Sequence, residues 1–252
     1  MTPEYASPVC APISIEKGNK EAVIYFHGCS SSPGYFIPYI EEALACGYDV
    51  YAPLYSGHGT KVEDMLIYGY EDWLSDGRNA VEVLLPKYEK IHLLGHSLGG
   101  AMSIYTAGLY ASTGKIGKVL AMCPGFGLGD KKLLKTDFEK MGERTFPFIR
   151  GVVYAPELSE YCWSYDRMHF KTLKDLAQFS PVCIEQIKNV TSPTWYMVAA
   201  NDAICDVKQQ IEIAKELPNL VDYHLFQKSG HNILNDCEYK DAMARVKMWL
   251  RA

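Results

Sequence analysis

Five consecutive residues, Gly95-His96-Ser97-Leu98-Gly99, form a G-x-S-x-G string between an apolar run, Ile91 to Leu94, and a helical pattern. A serine on such a strand-to-helix turn is held in a strained backbone conformation, with flanking glycines leaving room for strand and helix to approach. Its hydroxyl stands at a helix N-terminus, where the dipole favours developing negative charge. The hydroxyl is a poor nucleophile until a base removes its proton, so Ser97 requires a histidine and an acid that fixes the histidine's tautomer. In this architecture the acid and then the histidine follow the serine in the chain.

Seven histidines compete: His27, His58, His92, His96, His169, His224 and His231. His231 opens a loop after the last predicted strand, in Ser229-Gly230-His231, whereas His92 and His224 fall inside strands. The acid belongs just past the preceding strand, where Ala199-Ala200-Asn201-Asp202 places Asp202. Asp206 is better used as a helix N-cap, and Asp166 and Asp236 are outside contenders. A tetrahedral intermediate needs two backbone N–H donors aimed at its oxyanion. Leu98 supplies one, and Cys29 the other, from the loop His27-Gly28-Cys29-Ser30-Ser31-Ser32-Pro33 that follows the first predicted strand. A catalytic Cys29 with His27 as its base is the competing reading of that loop.

These residues need a scaffold that brings distant strand ends together. Short apolar runs alternate with longer helical patterns, which predicts an α/β fold around a mostly parallel sheet. Strands are expected near Val23–Phe26, Tyr48–Ala52, Ile91–Leu94, Lys118–Met122, Thr194–Ala199 and Asp222–Phe226. Helices are expected at about Gly34–Ala45, Glu71–Leu85, Ser97–Ala111, Val207–Glu216 and Tyr239–Leu250. Residues 124–181 break the alternation, carry four prolines and polar clusters, and hold ten aromatics, from Phe126 to Phe179. They predict an inserted cap between core segments 1–123 and 182–252. Its rings either present an apolar face to a ligand or pack the insertion onto the core.

The chain has 252 residues, 48% hydrophobic and 22% charged, as expected of a folded globular protein. Its net charge of −5 argues against nucleic acid as a partner. The stretch Ile91 to Gly114 has no charged residue and is long enough to cross a bilayer, but a buried strand, turn and helix explain it with fewer assumptions, so no stable membrane insertion is expected. The eight cysteines show no CxxC pair and no Cys/His cluster at zinc-ligand spacing. They read as unpaired thiols in a reducing compartment, and with a polar, Pro-rich start they point to the cytoplasm.

The set His27-Gly28, Tyr51-Ala52-Pro53-Leu54-Tyr55-Ser56-Gly57-His58-Gly59, GHSLGG, the late Asp202 and Ser229-Gly230-His231 resembles the α/β-hydrolase superfamily. Within it the chain is similar to compact bacterial carboxylesterases and monoacylglycerol lipases with a small helical cap, a likeness that extends to Lys171-Thr172-Leu173-Lys174-Asp175-Leu176. The resemblance implies an α/β-hydrolase fold, Ser97, Asp202 and His231 as catalytic triad, and Cys29 with Leu98 as oxyanion hole. Cys29 departs from the bulky apolar residue usual there, which bears on acyl-pocket shape, and His58 is implied to be structural.

The expected reaction is acyl transfer through an acyl-enzyme on Ser97, with no metal or organic cofactor required. A serine nucleophile argues against the dehalogenases and epoxide hydrolases of this fold, which use a carboxylate. The aromatic-rich insertion and mild negative charge point to neutral, partly apolar small-molecule esters of short to medium acyl length. A monoacylglycerol lipase or lysophospholipase would share every motif. A CoA thioesterase would need a basic patch such as Lys131, Lys132 and Lys135, and a ligand-binding receptor built on the scaffold is the non-enzyme alternative.

Overall fold

The computed structural model describes residues 4–129, 137–147 and 154–252. In chain order the strands are β1 (Ile13–Ile15), β2 (Glu21–Phe26), β3 (Tyr48–Ala52), β4 (Lys90–His96), β5 (Ile116–Met122), β6 (Thr145–Pro147), β7 (Arg167–His169), β8 (Thr194–Ala199) and β9 (Leu220–Phe226). The helices are α1 (Ile40–Ala45), α2 (Tyr70–Glu82), α3 (Leu98–Leu109), α4 (Phe138–Met141), α5 (Phe170–Ile184), α6 (Val207–Glu216) and α7 (Tyr239–Arg251). Seven strands form one sheet in the order β1-β3-β2-β4-β5-β8-β9. All neighbours run parallel except β1, which pairs antiparallel to β3. This is the α/β-hydrolase fold.

The sheet is buried on both faces, as a parallel sheet under helices must be. Successive side chains of a strand point to opposite faces. Along β2, Ala22, Ile24 and Phe26 therefore enter one core, with Trp73 of α2, Met102 of α3, Phe179 of α5 and Ile213 of α6. Val23 and Tyr25 enter the other, with Ala43 of α1 and Val246 and Trp249 of α7. Every residue of α3 from Leu98 to Gly108 is buried, which accounts for the uncharged run from Ile91 to Gly114. Among the described residues no helix is long and apolar enough to cross a membrane.

Six predicted strands and five predicted helical segments coincide with observed elements. The segment from Pro33 is a 3-10 helix as far as Tyr39 and becomes α-helical only at Ile40. The strand β1 has no counterpart in the sequence reading. No disulfide joins any of the eight cysteines, and four of them are buried.

Between β5 and β8 lie α4, the antiparallel pair β6 and β7, and α5, which runs through position 181. The aromatic rings here mostly pack inward onto protein. Phe126, Tyr165 and Phe179 belong to the main core, with Trp163 against it. Phe138, Phe146 and Phe170 pack around Leu128, Met168 and Leu173. Phe148 and the Lys131, Lys132 and Lys135 cluster lie outside the described residues. Tyr165 ties this region to the core twice. Its backbone N–H donates to Ser30 O at 3.1 Å, and its hydroxyl contacts Gly57 O at 3.0 Å and Lys61 O at 3.2 Å.

Candidate active site

Ser97 follows β4, Cys29 follows β2, Asp202 follows β8 and His231 follows β9, so all four lie beyond the C-terminal ends of sheet strands. That edge is where open α/β sheets bind ligands. Ser97 has φ 58° and ψ −121°, a left-handed conformation that costs a non-glycine residue energy and is held by its surroundings. Its N–H donates to Met122 O at 2.9 Å, and its carbonyl accepts from Gly125 N at 2.8 Å. A Cβ at Gly95 would overlap the Gly99 carbonyl, and one at Gly99 would overlap Phe26 O, so both glycines are required by contact.

His231 Nδ1 lies 2.7 Å from Asp202 Oδ2, and the Asp202 side chain is fully buried. Asp202 Oδ2 also accepts from Gln210 Nε2 at 3.2 Å, while Oδ1 accepts from the N–H groups of Ile204 at 2.8 Å and Cys205 at 2.9 Å. Burial opposes its charge, but His231 and these N–H donors outweigh it and hold the carboxyl at about 2. An ionised Asp202 accepts the Nδ1 proton and leaves the other imidazole nitrogen to act as an acceptor.

The loop carrying His231 is pinned by acceptors further along the chain. Glu238 Oε2 accepts from Lys228 N, Ser229 N and Ser229 Oγ, and Asp236 Oδ2 accepts from Gly230 N. From the elbow, His96 Nε2 donates to His231 O at 2.8 Å. Burial and the neighbouring His231 hold the His96 pKa down to about 3, so its ring is neutral.

Ser97, His231 and Cys29 line one cleft together with Gly125, Gly127, Leu128, Met168, Leu176, Ile204 and Cys205. Gly28 lets the loop approach the serine, since a Cβ there would lie 3.3 Å from Ser97 Cβ. A Cβ on Gly125 would lie 3.2 Å from Leu98 N. The walls supplied by Leu128, Met168, Leu176 and Ile204 are apolar. The predicted aromatic face of the insertion does not contribute: among the described residues no aromatic side chain lines this cleft.

The competing residues have other partners. Asp206 caps α6, accepting from Lys208 N and Gln209 N. Asp166 pairs with Arg167, and Asp236 holds Gly230. His27 donates from Nδ1 to Gly28 O at 2.8 Å and accepts at Nε2 from Tyr55 N at 3.2 Å, which occupies both nitrogens. Burial and the Asp175 charge push the Cys29 thiol up to about 12, so it is protonated and not a nucleophile at neutral pH. His58 donates from Nδ1 to Ser56 O at 3.1 Å and packs against Trp73. Gln210 and Glu238 are supporting residues that sequence reasoning missed, and His96 and Asp236, weighed there as candidates for the base and the acid, serve as supports instead.

The strand order, elbow and cleft define an α/β hydrolase. The chain belongs to the family described as serine aminopeptidase, S33, whose model matches residues 17–238. It is similar to a carboxylesterase of Bacillus subtilis, 26% identical over 229 residues that cover 88% of this chain and 89% of the relative. A shorter stretch of 85 residues, 34% of each chain, is 32% identical to a thermostable monoacylglycerol lipase of a Bacillus species. Among solved structures, one described with the metagenome-derived lipolytic enzymes LipS and LipT superposes with a TM-score of 0.85 at 20% identity, covering 97% of this chain and 98% of that one. The monoacylglycerol lipase of Paleococcus ferrophilus gives 0.75 at 20% identity, covering 96% and 98%.

Proposed function

We propose that the protein is a serine esterase that cleaves neutral, partly apolar carboxylic esters of short to medium acyl chain through an acyl-enzyme on Ser97. The observation that carries this reading is the meeting of Ser97 and His231 on one apolar cleft, with Asp202 2.7 Å behind the imidazole. His231 takes the Ser97 proton as the hydroxyl attacks the ester carbonyl, and the backbone N–H groups of Cys29 and Leu98 receive the oxyanion. Protonated His231 then gives its proton to the departing alcohol. Water, deprotonated by the same imidazole, attacks the acyl-enzyme and releases the acid, returning Ser97 to its starting state.

The family description invites comparison with peptide cleavage. An aminopeptidase has to hold the α-ammonium of its substrate, and among the described residues no carboxylate lines the cleft. Apolar walls at Leu128, Met168 and Leu176 favour an acyl chain instead. Monoacylglycerols are the second substrate class, supported by the same apolar walls and by the relatives that bear the name monoacylglycerol lipase.

The test is hydrolysis of p-nitrophenyl esters from acetate to palmitate, with a monoacylglycerol alongside and Ser97→Ala as control. Turnover that peaks at short or medium chains and is lost in Ser97→Ala is expected. A preference for the monoacylglycerol selects the lipase reading, and absence of turnover on every ester overturns both.

A further inference from the structure

Beside the Asp202–His231 pair lies a third donor group, the Cys205 thiol, that ester hydrolysis does not use. A ligand atom from each of Asp202, Cys205 and His231 lies within 4.8 Å of the other two, and all three residues are buried. These supply one carboxylate oxygen, one thiol sulfur and one imidazole nitrogen, the mixed set that zinc and related borderline-soft divalent cations prefer. The three positions come from two loops, after β8 and after β9, so the grouping is not visible as a ligand spacing in the sequence.

A second observation comes from Gln210. Its amide is fully buried and donates from Nε2 to Asp202 Oδ2 at 3.2 Å, yet its Oε1 has no hydrogen-bond partner. A buried amide oxygen without a donor is costly, so the polar network behind Asp202 is left incompletely satisfied. Cys205 and His231 both line the cleft, which gives an ion a route to the cluster from solvent.

We propose that Asp202, Cys205 and His231 form an inhibitory site for a divalent cation of the zinc class. The cation bonds to the Cys205 sulfur and takes the place of the proton between His231 Nδ1 and Asp202. The thiol proton leaves to solvent, and the Nδ1 proton is replaced by one on Nε2, so the imidazole stays neutral and one proton is released in all. In that tautomer His231 presents an N–H where an acceptor is needed for the Ser97 proton, and the serine is left unactivated. The inhibitory consequence rests on His231 acting as the base; binding of the ion does not.

The test has two arms, using the full-length protein and Zn2+ or Co2+ alone as probe. In the first, ester hydrolysis is measured against buffered free Zn2+, each variant being compared with its own metal-free rate. Zn2+ is expected to inhibit the wild type reversibly, with recovery on adding chelator. The half-inhibiting concentration is expected to rise at least tenfold in Cys205→Ala and in the closer substitute Cys205→Ser, and to stay as in wild type in Cys237→Ser, which removes the exposed thiol. In the second arm Co2+ is added to Ser97→Ala protein, where the thiolate-to-cobalt absorption band reports binding without any turnover. The band is expected in Ser97→Ala and absent when Cys205→Ala is added. Unchanged Zn2+ sensitivity in both Cys205 variants, loss of sensitivity in Cys237→Ser, or a cobalt complex without the thiolate band overturns the proposal. Failure of the esterase reading alone would leave the cobalt band in place.

Discussion

His96 and His231 stand 135 positions apart in the chain, yet Nε2 of the first donates to the backbone oxygen of the second at 2.8 Å, and their rings lie 5.0 Å apart. One residue of the turn that carries Ser97 therefore fixes the height of the loop that carries the proposed base. His96 is a positioning residue, since it acts through the His231 backbone.

Removing that bond in His96→Ala leaves a buried carbonyl without a donor and frees the loop. The expected result is a roughly tenfold to hundredfold lower kcat with little change in KM, because a misplacement of about 1 Å near the reacting atoms can cost a hundredfold. His96→Gln, which can present an N–H at a similar reach, should recover part of the loss. Equal rates for the alanine and glutamine variants would count against a positioning role.

Asp202 and Asp206 separate cleanly by substitution. Asp202→Asn replaces an acceptor with an amide at the atom facing His231 Nδ1 and favours the wrong tautomer, for which a loss in kcat on the order of 10^4 is expected. Asp206→Asn weakens the α6 cap without touching His231 Nδ1, so it should cost about 1 kcal/mol of stability and leave turnover nearly intact. Steady-state kinetics and urea unfolding on both variants check the pair.

Gly125 lies against the peptide that follows Ser97, and its added Cβ would sit 3.2 Å from Leu98 N and 3.3 Å from Leu98 Cα. Gly125→Ala should therefore obstruct the proposed oxyanion donor and lower kcat by about 10- to 100-fold, a loss typical of a damaged oxyanion hole. Labelling of Ser97 by a small fluorophosphonate, with the unfolding temperature as a check on the fold, distinguishes this from collapse of the elbow.

Acid is expected to destabilise the protein from about pH 6.5 downward. Burial holds the His96 pKa down to about 3 and that of His58 down to about 4, and burial with the nearby His58 holds His27 well below its ordinary value. In the unfolded chain these rings bind protons below about pH 6.5 while in the folded chain they do not, so the unfolded state gains protons and stability falls as pH falls. His96 and His58 each contribute a loss of about 2 kcal/mol between pH 7 and pH 5, and His27 acts in the same direction. Asp202 acts lower, its contribution being present above about pH 4 and lost as pH drops through about 2. Urea midpoints across this range should fall steeply below about pH 6.5; a flat profile would contradict buried, neutral histidines.

The parts of the fold and site written in local patterns were legible in the sequence. β-branched and apolar runs marked the buried parallel strands, and the strand-turn-helix slot marked Ser97. Ser229-Gly230-His231 and Asn201-Asp202 could be placed because each follows a strand end. The three-residue edge strand β1 was not legible, because Ile13-Ser14-Ile15 is too short to show a period and exists through its pairing with β3. The supporting roles of Gln210 and His96 were missed for a related reason. A glutamine on an amphipathic helix and a histidine inside a glycine-rich turn look ordinary until the sheet brings each to its partner. The aromatic content of residues 124–181 suggested two roles, and the described rings mainly serve packing.

The two hydrogen-bonded joins made by Tyr165 limit how this scaffold can be recombined. A segment bounded near positions 124 and 181 looks like an exchangeable cassette, but cutting it out severs bonds to Ser30 and to the Gly57 and Lys61 carbonyls. Ser30 adjoins Cys29, so a transplanted segment that does not reproduce the backbone donor of Tyr165 would leave the Ser30 carbonyl without that partner and loosen the loop proposed to receive the oxyanion. Chimeras intended to alter acyl preference should keep Trp163 through Tyr165 from the host and vary Met168 and Leu176, which face the cleft directly. The segment that supplies Met168 and Leu176 to the cleft thus also holds the Cys29 loop in place, and a boundary suited to shuffling lies within residues 124–181.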